Sequence, residues 1–269
     1  MAMNIFDYYG IKEVANVYFE ALTEDKLNPE IQVGDIVLYL DTLKVSTVET
    51  TAENVSAQGG WGNPKLITWD YGKDINVTLE DAVVSFEELR IMLGAQLNEA
   101  KTANKVEVRM SADFKYADNK LVCTKLDKNE APIVPNKKAD TKFKYIDRAH
   151  GKRGQAESVE AVAEALTELK NGDHVMLFWV EERDGSAENE AVELVISPDT
   201  YPGTYRVVGD ALIRNKDGQD EAFQFIINKA KMLSEVTLTM QAEGDPSTFN
   251  MTLNVLRDDE GNMMKLVKY

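Results

Sequence analysis

Residues 59–79 read GGWGNPKLITWDYGKDINVTL, and this stretch decides the fold class. It holds two runs that alternate between apolar and polar side chains, residues 65–71 and 75–79, each preceded by glycine. Alternation with a period of two is typical of β-strands, and glycine between such runs is typical of antiparallel hairpins. We therefore predict strands on both sides of a turn at Gly72, with Trp69 in the core and Trp61 exposed at a glycine-rich tip.

The same period of two continues along most of the chain. It predicts further strands at residues 36–40, 44–56, 106–110, 121–126, 143–145, 174–181, 192–196, 205–208 and 223–227. A C-terminal hairpin is predicted from residues 236–240 and 249–255, around a turn at residues 243–246. Residues 15–21 fit a helix or a strand, and their β-branched and aromatic content favours a strand. The predicted fold class is mainly β.

Two helices are predicted to flank the strands. Ser85 and Glu88 have the spacing of a capping box, and Gly94 stands where a C-terminal cap belongs. The second helix has apolar side chains at helical spacing from Val159 to Leu169, with Ser158 as its cap and Gly172 at its end. Both helices are short, so we expect them to pack on a sheet.

Charge divides the chain into three parts. The whole chain has 30 basic and 46 acidic side chains, a net charge of −16, which disfavours general nucleic-acid binding. Residues 101–155 carry 14 basic and 7 acidic side chains, a local net of +7, so the remainder carries −23. This basic segment is either a solvated surface or a surface that meets an acidic patch on a neighbouring copy. The predicted organisation is a first part of a β core with a short helix (1–100), a basic insertion with an amphipathic helix (101–175) and a second part of the core (176–269).

The single cysteine, Cys123, excludes an internal disulfide and is predicted to be a small apolar strand residue. Residues 1–7 lack a charged segment followed by an apolar core, so they do not predict a secretion signal. The longest strongly apolar run, residues 175–180, is far too short to span a bilayer. We expect no membrane association and synthesis in the cytoplasm of the cell that makes the protein.

Residues able to carry chemistry are few. His174 begins a strand and is predicted to be structural, and His150 lies in a basic turn, residues 148–154, without the second half of a phosphate loop. Residues 215–221 resemble part of a calcium loop but lack its distal glutamate, so a plain β-turn is predicted there. No catalytic, cofactor-binding or metal-binding residue is assigned, and no cofactor is expected.

Several of these stretches together resemble a known family. Residues 59–73, 79–82 and 85–88, and nearer the end residues 201–205, 209–210, 223–225 and 242–249, resemble tail tube (major tail) proteins of tailed bacteriophages that infect Gram-positive hosts. The matching stretches cover less than half of the chain, and their motifs are turns and strands. The basic middle, residues 101–155, and the helix after it are not matched to that pattern.

The resemblance implies a β-sandwich or barrel-like core and a virion protein that is not an enzyme. Such subunits form hexameric rings that stack into a hollow tube through which genome DNA passes without sequence-specific binding. Partners would be further copies of the chain and other tail proteins, namely a sheath, tape measure, baseplate or terminator protein. Two alternatives stay open: another virion component (baseplate, tail terminator or capsid-associated protein), or a non-viral binding module or enzyme, which would have a concave site with convergent polar groups.

Overall fold

The structure is a computed structural model that describes residues 8–11, 14–25, 27–126, 130–186, 190–236 and 248–269, and these residues are mainly antiparallel β. Its helices are α1 (Phe86–Leu93) and α2 (Val159–Ala165). Its strands are β1 (Tyr9–Ile11), β2 (Asn16–Ala21), β3 (Ile36–Leu40), β4 (Leu43–Gln58), β5 (Lys65–Asp81), β6 (Gln96–Glu99), β7 (Val106–Ala117), β8 (Lys120–Cys123), β9 (Phe143–Asp147), β10 (Arg153–Ala156), β11 (His174–Arg183), β12 (Val192–Val195), β13 (Thr204–Asn215), β14 (Asp220–Met232), β15 (Phe249–Val255) and β16 (Lys265–Lys268).

The chain divides into two compact units. Unit 1 combines Met1–Leu97 with Leu194–Tyr269, and unit 2 is the intervening Asn98–Glu193. Strands β6 and β12 pair where the chain passes from one unit to the other and back. The sequence-based boundary at residue 175 falls inside β11, which pairs with β7 and β9 and lies in unit 2.

In the described part of unit 1, nine strands form one sheet in the order β3-β2-β13-β14-β15-β5-β4, with β1 paired to β13 and β16 paired to β14. The predicted strand at residues 15–21 is confirmed, because β2 pairs with both β3 and β13. Phe19, Leu79 and Ile227 are fully buried in the core, together with Met92 of α1. Each such side chain contributes about 1.5–3 kcal/mol through burial. The first strand and the turn of the predicted C-terminal hairpin lie largely outside the described residues.

Unit 2 has its own sheet and its own core. Among its described residues, five strands pair in the order β10-β9-β11-β7-β8. Alternate side chains of β7, β9 and β11 face α2, and Trp179 packs edge-on against Phe114 with ring centroids 6.2 Å apart. Trp179 is buried in this core at 3% exposure. The prediction that Cys123 is a small apolar strand residue is confirmed, because it lies in β8 and is 4% exposed.

Helix α1 forms because its ends are capped as the sequence predicts. The Ser85 hydroxyl accepts a hydrogen bond from the Glu88 backbone N–H (3.1 Å), and the Glu88 carboxylate accepts one from the Ser85 N–H (2.8 Å). Gly94 ends the helix in the left-handed conformation (φ 59°). The buried Arg90 guanidinium donates to Asp25 (2.5 Å) and Glu87 (2.7 Å), which holds the helix on the loop after β2.

A pH-dependent contribution to stability is expected at Glu88. Burial raises the pKa of this carboxyl above its ordinary value, against the opposing effect of its hydrogen bonds with Ser85. The folded state therefore binds the proton more tightly than the unfolded state, so stability falls as pH rises from the ordinary carboxyl pKa through the folded one. In Glu88→Gln this fall should be absent, because glutamine keeps the accepting oxygen without the charge. Urea unfolding of both proteins between pH 4 and 7 measures the effect. Exposed Glu49→Gln is the control, and an unchanged pH profile in Glu88→Gln would contradict the assignment.

Two sequence-based boundaries are wrong. Gly72 does not turn the chain: it lies inside β5 with φ 59°, where the register of β4 and β5 shifts between Thr51 and Glu53. The glycine therefore makes a bulge within one long strand. Helix α2 ends at Ala165 rather than near Leu169, because Leu166 leaves the helical conformation (φ −107°, ψ 68°) and is buried in the core.

Candidate assembly interface

The main candidate for an interface is the outer half of the β4–β5 hairpin, residues 53–71, which we call the arm. Strand β15 pairs with β5 only from Asn76 to Asp81, so within the described residues the arm strands pair only with each other. Two strands of 16 and 17 residues are far longer than the usual five or six. An isolated two-stranded ribbon is marginally stable in water, which makes the arm a candidate for packing against another chain.

The register gives the arm two different faces. Val55 lies opposite Trp69, Ala57 opposite Ile67, and Glu53 opposite Tyr71, so that these side chains share one side of the ribbon. We call the five members Val55, Ala57, Ile67, Trp69 and Tyr71 the apolar face. Its four large side chains are 53–55% exposed. The other side carries the polar pairs Asn54–Asp70 and Ser56–Thr68, and the Ser56 and Thr68 hydroxyls lie 2.9 Å apart. Exposed Leu66 stands apart from these pairs, at the register shift near the tip.

The prediction that Trp69 belongs to the core is therefore wrong. In β5 the alternate residues Ile75, Val77 and Leu79 are buried. Trp69 is 53% exposed, and it lies in the part of β5 that extends past the end of the pairing with β15 at Asn76. A contiguous exposed apolar surface on a two-stranded ribbon is typical of a protein–protein interface. The alternation of apolar and polar residues in 55–57 and 67–71 predicts an apolar face, but it does not say whether other residues of the fold bury that face.

The tip of the arm presents Trp61 to solvent, and its predicted exposure is confirmed at 103%. Gly60, Gly62 and Asn63 all have positive φ (83°, 84° and 51°), so the loop follows a path that few other residues adopt. The loop is closed by a hydrogen bond from the Gly59 N–H to the Pro64 carbonyl (3.2 Å) and by one from the Asn63 N–H to Gly60 (3.1 Å). The indole is thus held on an ordered loop.

The sheet of unit 1 also has free edges in its described part, at β3 and β4 and at the short strands β1 and β16, which have one partner each. In the described chain, β3 and β4 stand at opposite ends of the strand order, and each pairs on one side only. Open edges present unpaired N–H and C=O groups, which invite pairing with another chain. Edges that differ in sequence suit a head-to-tail contact, in which one edge of a copy meets the other edge of the next.

The basic segment, residues 101–155, is neutralised to a large extent within its own unit. Asn98–Glu193 holds 16 basic and 19 acidic side chains, a net of −3. Lys138 pairs with Glu107 and with Glu182 (3.1 Å), and Lys142 pairs with Glu157 (2.8 Å). The hypothesis that this segment meets an acidic patch on a neighbouring copy therefore loses much of its basis.

Reversing these lysines is expected to act on unit 2 itself. Lys138→Glu should lower the Tm of unit 2, because it replaces two ion pairs by repulsion from Glu107 and Glu182. Exposed Lys144 has no carboxylate within 4 Å among the described residues, so Lys144→Glu is the matched control and should leave Tm unchanged. Thermal unfolding of both variants at low salt measures the difference. Equal Tm values in the two variants would contradict the assigned pairs.

The residues considered for chemistry do not come together in one site. His174 pairs with Asp113, and His150 lies 2.8 Å from Asp147. Residues 148–152 form the loop between β9 and β10, and Asn215 caps the β13–β14 turn by accepting from the Asp217 and Gln219 N–H groups (3.0 and 2.9 Å). In the ranges that the structure describes, no group of three or more His, Cys, Asp or Glu side chains could hold a metal. Neither described helix has the length and apolar character needed to cross a bilayer.

The fold and the arm together define a mainly β protein whose distinctive surface suits association with other chains. The model of the YomU/Tube protein family matches residues 9–267, nearly the whole chain. The chain therefore belongs to the YomU/Tube protein family. This supports the resemblance to phage tube proteins and indicates a tube-like structural component of a virion. No curated protein matches the chain.

Proposed function

We propose that this protein is the tail tube subunit of a bacteriophage with a Gram-positive host, and that copies assemble into stacked hexameric rings that enclose a channel for DNA. The observation that carries the proposal is the arm, an exposed ribbon with one apolar face, in a member of a tube family. The proposed partners are further copies of the chain and other tail proteins, namely sheath, tape measure, baseplate or terminator.

The charge distribution supports this proposal. The sequence of unit 1 carries −13 of the total net charge of −16, and unit 2 carries −3. A channel lined by unit 1 would repel DNA phosphates, because its 27 acidic side chains outnumber its 14 basic ones. We propose that the nine-stranded sheet forms the barrel-like wall of this channel and that unit 2 is an insertion between the two chain segments of unit 1.

The energy of assembly must come chiefly from apolar burial. Exposed ion pairs contribute roughly 0–1 kcal/mol each and are screened by salt. Burying the apolar face of the arm removes four large half-exposed side chains from water, and pairing of sheet edges adds backbone hydrogen bonds. Tube assembly should therefore persist at salt concentrations that screen charge pairs.

Negative-stain electron microscopy of the purified protein, over a range of protein and salt concentrations, tests the proposal. We expect rings and hollow tubes that survive about 0.5 M salt, where the screening length is only a few ångströms. Monomers under every condition would contradict self-assembly into a tube. Closed rings that never stack would favour a terminator or baseplate role.

A further inference from the structure

A cavity lies in unit 1 at the end of the sheet opposite to the arm tip. Strand β5 runs from the tip at Lys65 to Asp81, where α1 follows. The antiparallel register places Phe249 of β15 beside Asp81. The next pairings across the sheet, β15 with β14, β14 with β13 and β13 with β2, place Thr204 and Ala21 toward this same end. Ala21, Tyr205 and Ile91 line the cavity, whereas Trp61 lies at the far end of β5.

The cavity is partly apolar and has an acidic rim. Its volume is about 280 Å³, and its apolar lining includes Leu27, Ile31, Val37 and Tyr205. The Arg90 guanidinium in its wall is already held by Asp25 and Glu87, so it does not demand an anionic ligand. Glu24 and Asp199 also line the cavity, are exposed, and have no basic group within 4 Å in the part of the chain that is described.

The arm tip matches this cavity in size, hydrogen bonding and charge. A cavity of roughly 150 Å³ accommodates a benzene ring, so about 280 Å³ is suited to the two fused rings of an indole. The indole N–H is a donor for which the rim carboxylates are acceptors. Lys65, exposed beside the tip, would add a positive charge facing Glu24 and Asp199. Tryptophan is also one of the side chains enriched among the residues that dominate binding at interfaces.

We propose that Trp61 of one copy inserts into this cavity of the next copy, and that this contact joins successive subunits along the direction of the arm. The inference rests on the proposed tube function. The tip and the cavity lie at opposite ends of the strands. A copy whose tip is bound to one neighbour therefore still has its cavity free to bind the tip of another. A contact of this kind is heterologous, so it can repeat from copy to copy without closing, as growth of a tube requires.

The first test compares assembly of Trp61→Ala with that of the unmodified chain. Loss of a central tryptophan anchor should raise the protein concentration needed for tube growth by at least about 30-fold. Trp61→Tyr should assemble at nearly the normal concentration, because tyrosine also supplies an aromatic ring. Val134→Ala truncates an 85% exposed side chain in unit 2 and should not change the concentration needed for tube growth. Folding should be unchanged because the Trp61 side chain lies in solvent. Tubes that grow from Trp61→Ala at the normal concentration would overturn the inference alone.

The second test is a disulfide between copies. Lys65→Cys, beside the tip, and Asp199→Cys, on the rim of the cavity, are made in separate chains that both keep Trp61. The two chains are mixed and oxidised under assembly conditions, while the buried native Cys123 stays reduced. A cross-linked dimer that contains one chain of each kind is expected, and neither variant alone should give it. Tubes without this cross-link would overturn the inference and leave the proposed function standing. An unmodified chain that never forms rings or tubes would overturn both.

Discussion

Replacing Val55 by aspartate is expected to abolish assembly at concentrations where the unmodified chain forms tubes, while the monomer stays folded. Val55 lies opposite Trp69 in the middle of the apolar face. A carboxylate placed there would be buried between copies without a partner, which costs about 3 kcal/mol or more. The concentration required for assembly should rise more than about 100-fold. Sedimentation and electron microscopy measure assembly, and thermal unfolding checks the monomer.

Ser56→Asp is the matched control for this experiment. Ser56 is adjacent to Val55 in β4 but lies on the polar face, where its hydroxyl is near that of Thr68. The two variants add the same charge one residue apart on the same strand, so they differ only in the face that carries it. We expect Ser56→Asp to assemble nearly normally. Equal inhibition by both variants would show that the arm tolerates no added charge at all, and would contradict the assignment of the interface to the apolar face.

The features that could be predicted from the sequence are those set by neighbouring residues. The capping box of α1 depends on the spacing of Ser85 and Glu88, and its end on the ability of Gly94 to adopt positive φ. The predicted β-turn at residues 215–221 is likewise confirmed, because Asn215 bonds to backbone groups two and four residues later. Local chemistry of this kind is present in the sequence itself.

What could not be predicted depends on partners distant in the sequence. His174 to Arg183 alternates like any half-buried strand, but its pairing with Lys115 to Val106 places it in unit 2, and no local pattern encodes that choice. The exposure of Trp69 has the same origin, since β15 pairs with β5 only up to Asn76. The candidate interface was missed for this reason: its residues look like core residues until the extent of the sheet is known.

A large loss of stability is expected for Gly94→Ala. Gly94 has φ 59°, which costs an L-residue about 1–2 kcal/mol. A Cβ there would also lie 2.5 Å from the Pro202 nitrogen and still closer to the Tyr201 carbonyl carbon, both of which are backbone atoms. Because backbone cannot move aside as a flexible side chain can, we expect a total loss of about 3 kcal/mol or more.

Gly218→Ala separates the two contributions to this loss. Gly218 also lies in unit 1 and has φ 85°, but nothing lies within 4 Å of its hypothetical Cβ. Its replacement should cost only the conformational strain, about 1 kcal/mol. Hydrogen exchange at the amides of residues 89–95 measures the local effect of Gly94→Ala, and urea unfolding compares both variants. Equal losses would mean that the loop at Tyr201 moves away freely. That result would contradict the close packing of α1 on this loop, which shapes the cavity proposed for Trp61.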